Sequence, residues 1–146
     1  MTTVTKSVIV KGKPSEIYSY WTDFENFPEF MTYIKSVTPT GANTSYWVLD
    51  GPAGVQVDWH AEMTRMEENT RIAWNSKDKR GLLTTSGQVT FNDLPNDQTE
   101  ITATVQYAPP GGKLGEVAAQ LFANPDKRLD TDLRNFKRMV ERELVT

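Results

Sequence analysis

Asp58, His60 and Glu62 take alternate positions in VQVDWHAEMTR, Val55 to Arg65, and His60 is the only histidine in the chain. Two carboxylates and an imidazole are the residue types that ligate a metal or move protons. Their spacing argues against both uses. Neighbours at i and i+2 on one face of a strand stand about 7 Å apart, too far to share an ion without help from another segment. They also alternate with Val55, Val57, Trp59, Ala61 and Met63, which places them on a solvated face opposite an apolar one. No metal is expected here.

Other chemistry is equally sparse. There is no cysteine, which removes disulfides, thiol nucleophiles and thiolate metal sites. With one outward histidine, serine activation by an imidazole base has no support. GGKLG, Gly111 to Gly115, follows a strand and precedes a helix, where a phosphate loop would lie. Tyr107 stands where the first glycine of that pattern should be, and Leu114 follows the lysine in place of Ser or Thr. A hinge is the better reading. Tyr18, Tyr46, Tyr107 and Arg65 remain as groups able to polarise a carbonyl in a site that works mainly by shape. No cofactor is called for.

The elements that must position such groups read clearly. At 146 residues, the chain is expected to form one domain, 1–146. Sixteen basic and nineteen acidic residues leave a net charge of −3 without any basic block, so nucleic acid and anionic lipid surfaces are not expected as partners. The opening MTTVTKSVIVKGKP has neither the flank nor the apolar run of a signal peptide, and no window suits a membrane span. A cytoplasmic chain without stable membrane insertion, monomer or homodimer, is the expectation.

Thr2 to Val10 alternates as a strand with Val4, Val8 and Val10 on one face. Pro14 suits a first helical position, and Ile17, Trp21 and Phe24 line one face of a short helix to about Asp23. TDFENFPEFM, Thr22 to Met31, then sets large apolar side chains among acids, and Pro28 breaks it. Strands are expected over Tyr33–Thr40, Ser45–Asp50, Val55–Arg65, Arg71–Ser76, Leu82–Asn92 and Thr99–Ala108. Helical stripes follow: Leu114, Val117, Ala118, Leu121 and Phe122, then Leu129, Leu133, Phe136, Val140 and Leu144 beyond a break at NPDK. Strands apolar on one side only call for an α+β fold, a curved antiparallel sheet of about seven strands wrapped around the last helix.

KSVIV, PSEIYSYWTDFENFPEFM, SYWV, VDWHAEMT, RIAWNS, SGQVTF, TEITATVQYAPPGG and DLRNFKRMVE, in this order, resemble the polyketide cyclase/dehydrase-like branch of the START and birch-pollen-allergen superfamily, the helix-grip fold. Coenzyme Q-binding proteins share the aromatic helix running into a proline corner. The resemblance covers nearly the whole chain. It implies a seven-stranded sheet gripping the C-terminal helix, with short helices after the first strand and a mostly apolar cavity for a lipid, quinone, hormone or polyketide.

On that reading the candidate ligand-binding residues are Phe27 and Phe30 at the entrance, Trp47, Trp59, Met63, Trp74, Phe91 and Tyr107 on the strands, and Leu121, Phe122 and Phe136 on the helix. Phe24 and Met31 would plug the core. The competing reading of each is plain core packing, since burying one large apolar side chain contributes about 1.5–3 kcal/mol. A single helix does not fill a strongly curved sheet, however, and aromatic walls with a few polar tips characterise ligand sites. Three functions remain open: a carrier or sensor of a small hydrophobic molecule; a polyketide aromatase/cyclase or dehydrase acting by substrate shaping and enolisation; and a partner-binding domain using exposed lid aromatics.

Overall fold

A computed structural model describes residues 2–31, 34–50, 56–76, 84–108 and 125–145. β1 (Thr2–Lys11) leads through Gly12, whose φ of 137° suits a residue without Cβ, into α1 (Pro14–Thr22). Pro14 opens α1, and Ile17 and Trp21 on its buried face are 0% and 3% exposed. Pro28 prevents TDFENFPEFM from continuing as an α-helix, and Phe24–Glu29 tightens into a 3-10 turn. The amides of Phe30 and Met31 both donate to the Phe27 carbonyl, which closes the turn.

Six strands follow: β2 (Ile34–Pro39), β3 (Thr44–Asp50), β4 (Gln56–Glu67), β5 (Arg71–Ser76), β6 (Thr84–Leu94) and β7 (Gln98–Ala108). They form one antiparallel sheet of seven strands in the order β1-β7-β6-β5-β4-β3-β2. Two hairpin turns place Asn69, Asn96 and Asp97 in the left-handed region, which short amide and carboxylate side chains tolerate. The sheet curls into a half-barrel around α2 (Pro125–Val145), the helix-grip arrangement.

α2 bridges the two sides of the half-barrel. Leu133, Phe136 and Val140 recur at helical spacing and are 1%, 0% and 0% exposed. Toward β1, the Lys137 ammonium donates to the Ile9 carbonyl at 2.9 Å, and the Lys11 amide donates to Glu141 Oε2 at 3.0 Å. These two side chains thereby occupy backbone groups on an edge strand that would otherwise invite pairing. On the other side, Asn135 Nδ2 donates to the Phe30 carbonyl at 3.1 Å, tying α2 to the turn that precedes β2.

Two sequence expectations are corrected. Alternation through Arg65 would turn that residue inward after Met63. Instead the β4–β5 register shifts between Met63 and Arg65, and the Arg65 side chain is 59% exposed, ion-paired with Glu67 at 3.3 Å. A bulge re-aims the residues beyond it. Phe27 and Phe30, expected at an entrance, are 4% and 2% exposed and belong to the core. The break at NPDK, the 114–122 stripe and GGKLG lie outside the described residues, apart from the helix start at Pro125.

Candidate functional site

Register aligns the inward residues in rows across the strands. One row runs Met63, Trp74, Gly87, Val105 and Val4 over β4, β5, β6, β7 and β1. Nearer α1, a second joins Ile72, Val89 and Ala103, and a third joins Phe91, Ile101 and Val8. The rows are sealed unequally. Ile72, Val89 and Ile101 are each 0% exposed, whereas Trp74, Gly87 and Val105 are only partly buried although they face the same interior. Gly87 is the reason Trp74 can lie there: a Cβ on Gly87 would stand 2.6 Å from Trp74 Cζ2 and 2.7 Å from the Thr104 carbonyl. The indole therefore rests on bare backbone.

The sealed end is an aromatic network. Trp21 meets Phe136 at 4.8 Å, Phe27 and Phe30 at 5.6 Å each and Phe91 at 6.5 Å between ring centroids. Phe27 then meets Trp47 at 5.2 Å, and Trp47 stacks on its cross-strand partner Trp59 at 5.9 Å and 14°. The edge-to-face contacts are the favoured arrangement of ring quadrupoles and add to simple burial. The network carries the wall from α1 through the 3-10 turn to β3 and β4.

Among the described residues, few polar groups lie at this wall. Ser45 is 2% exposed and accepts a hydrogen bond from Trp47 Nε1 at 2.8 Å. Tyr18 packs edge-on against Phe91 at 5.5 Å, and burial, reinforced by the negative charge of Glu68, pushes its phenol above the ordinary value. It stays a hydrogen-bond donor throughout the neutral range. Lys6 shares the inward face of β1 with Val4 and Val8 and is partly buried opposite Ala103.

The outward face carries the histidine region, as the alternation requires. Tyr46 donates to Asp58 Oδ2 at 2.5 Å, and its ring lies 4.9 Å from that of exposed His60. Tyr46 is thus corrected from a pocket candidate to an outer-face residue. Further along β4, Arg71 donates to Glu67 through Nε at 2.8 Å and Nη2 at 3.3 Å. That hydrogen bond is the largest influence on the Glu67 carboxyl, which lies below its usual range with Arg65 also nearby.

The structure brings together most of the expected set: Phe27, Phe30, Trp47, Trp59, Met63, Phe91 and Phe136 share one buried cluster, with Trp74 packed against it. Tyr107 takes a register position between Thr2 and Thr85, while its side chain, Leu121 and Phe122 lie outside what is described. Sequence reasoning missed Ser45, Lys6 and the central role of Trp21. The first two were available from period 2, since Ser45 alternates with Trp47 and Leu49, and Lys6 with Val4 and Val8. The ring contacts of Trp21 span four elements and leave no local signal.

A half-barrel of this order gripping a C-terminal helix defines the helix-grip class. The chain belongs to the family described as polyketide cyclase/dehydrase and lipid transport, whose model matches residues 10–134. An uncharacterized 17.2 kDa protein of Streptomyces lincolnensis is 29% identical over 147 residues, spanning 97% of this chain and 91% of that protein. A solved structure from Deinococcus radiodurans is 31% identical with a TM-score of 0.78, covering 97% of this chain and 98% of its own. The fold is shared, at 16% identity and a TM-score of 0.78, with an aromatase/cyclase from a Streptomyces species, covering 98% of this chain and 95% of that one. It is also shared with a START superfamily protein from Mycobacterium smegmatis, at 16% identity, a TM-score of 0.72, and coverage of 94% and 98%. Among the described residues no helix is long and apolar enough to cross a membrane.

Proposed function

We propose that the chain binds a small hydrophobic molecule with a ring system, a lipid, quinone or aromatic polyketide-like metabolite, between the sheet and α2, as a carrier or sensor. The observation that carries this reading is the unequal sealing of one continuous apolar wall. Trp74, Gly87 and Val105 face inward yet are only partly buried, beside Ile72, Val89 and Ile101, which are closed to solvent. Apolar surface left open on an inward face is stabilised by an occupant, at about 25 cal/mol for each Å² covered. Trp47, Trp59, Met63 and Trp74 would form its wall.

Native mass spectrometry of freshly purified protein, followed by solvent extraction, tests the proposal. Retained lipid, quinone or polyketide-like material, or uptake of an added naphthalene probe by the apo protein, is the expected outcome. A clean apo mass together with no uptake of the probe would overturn it.

One observation favours a second reading, that of an aromatase/cyclase or dehydrase. Tyr18 is a protonated phenol against Phe91, and would polarise the carbonyl of a substrate that reaches that end of the wall. Under that reading Tyr18→Phe abolishes turnover of an aromatic polyketide precursor while leaving its binding intact; under the carrier reading no turnover is seen in either form. The partner-binding alternative loses its basis, because Phe27 and Phe30 are buried.

A further inference from the structure

Ser45 is one of the buried polar side chains of the core, at 2% exposure, and its single hydrogen bond among the described residues is one it accepts. The Trp47 indole occupies a lone pair of Ser45 Oγ, and the hydroxyl proton has no acceptor among the described residues. Bulk water cannot supply one at that burial. A buried donor left without a partner is costly and rare, so such a proton calls for a partner of its own. The other buried hydroxyl of the core shows the contrast: Thr99 Oγ1 donates to the Gly12 carbonyl at 2.8 Å.

The surroundings say what kind of partner fits. Ser45 shares the inward face of β3 with Trp47 and Leu49, and its partner across β4 is Ala61, which presents only a methyl group. Trp47 and Trp59 stack alongside. The indole N–H polarises the hydroxyl it donates to, making the remaining proton a stronger donor in an apolar wall. We infer that Ser45 donates this proton to an acceptor oxygen of the bound ligand, such as a carbonyl on its ring system, and so discriminates oxygenated rings from plain hydrocarbons. This rests on the ligand-binding reading above.

Calorimetric titration with 1,4-naphthoquinone and with naphthalene tests it; the chain has no cysteine for the quinone to alkylate. The wild-type protein is expected to prefer the quinone by about three- to tenfold, the worth of one net hydrogen bond. Ser45→Ala removes that preference, so that the quinone and naphthalene bind alike, and Ser45→Thr restores part of it. Trp47→Phe, which keeps the hydroxyl but not the indole donor, gives an intermediate preference. Equal affinity of the wild type for both probes, or an unchanged preference in Ser45→Ala, overturns the role of Ser45 while leaving apolar binding intact. Binding of neither probe overturns both readings together.

Discussion

The two ends of the inward wall have similar composition and opposite finish. Around Trp21 of α1, three further elements converge: the 3-10 turn, β6 and α2 each place a ring within 6.5 Å of the indole, and the neighbouring Ile72, Val89 and Ile101 are closed to solvent. At Trp74, Gly87 and Val105, between the buried ends Met63 and Val4 of their row, the same sheet presents residues that are only partly buried. Apolarity therefore does not decide which part of this wall is closed to solvent. Among the described residues the number of elements meeting at a point does, since a curved sheet needs helices from inside to fill it.

The sharpest way to break this comparison is at the sealed end. Phe136→Ala removes a ring that is 0% exposed and touches both Trp21 and Phe30. It should cost about 3–5 kcal/mol, read as a large fall in thermal midpoint; a loss under about 1 kcal/mol would mean that this end is not the packed core. Next, Gly87→Ala forces a methyl against Trp74 and the Thr104 carbonyl. Backbone cannot yield as a side chain does, so a loss of about 1–3 kcal/mol is expected, with a shift in tryptophan emission as Trp74 moves. Trp74→Ala should reverse the balance seen at Phe136, losing less stability but more uptake of a naphthalene probe. Parallel losses in both variants would erase the distinction between core and site.

The smallest effect concerns the clasp that holds α2 to β1. Burial alone would raise the Glu141 carboxyl, but the Lys137 ammonium at 2.6 Å and the Lys11 amide outweigh it and hold it below the usual range. A depressed carboxyl contributes stability above its unfolded value, roughly pH 4.3, and loses it as pH falls through the folded value. The thermal midpoint of Glu141→Gln should therefore lie below that of the wild type at neutral pH, with the gap closing in acid. A gap independent of pH would show that packing, not charge, is what Glu141 contributes.

The order of elements was legible because each strand repeats apolar residues at period 2 and each helix at period 3.6, which the backbone imposes locally. Trp47, Trp59 and Met63 were assigned inward by that rule and are buried there. The rule failed at Arg65, where a bulge breaks the parity without any mark in local composition. Phe27 and Phe30 were placed at an entrance by the resemblance alone, because a 3-10 turn has no long period from which to read a buried face.

By itself, then, the sequence determined which residues are apolar, where chain direction changes at Gly and Pro, and that no cysteine chemistry exists. Tertiary structure decided the rest: that Trp21 is the hub of the sealed end, that Trp74 needs the bare backbone of Gly87, that Lys137 and Glu141 clasp an edge strand 128 and 130 positions away in the chain, and that Ser45 holds an indole in a buried wall. These depend on residues far apart in sequence meeting in space, and pairwise meetings of that kind leave no trace in the local pattern of a single chain.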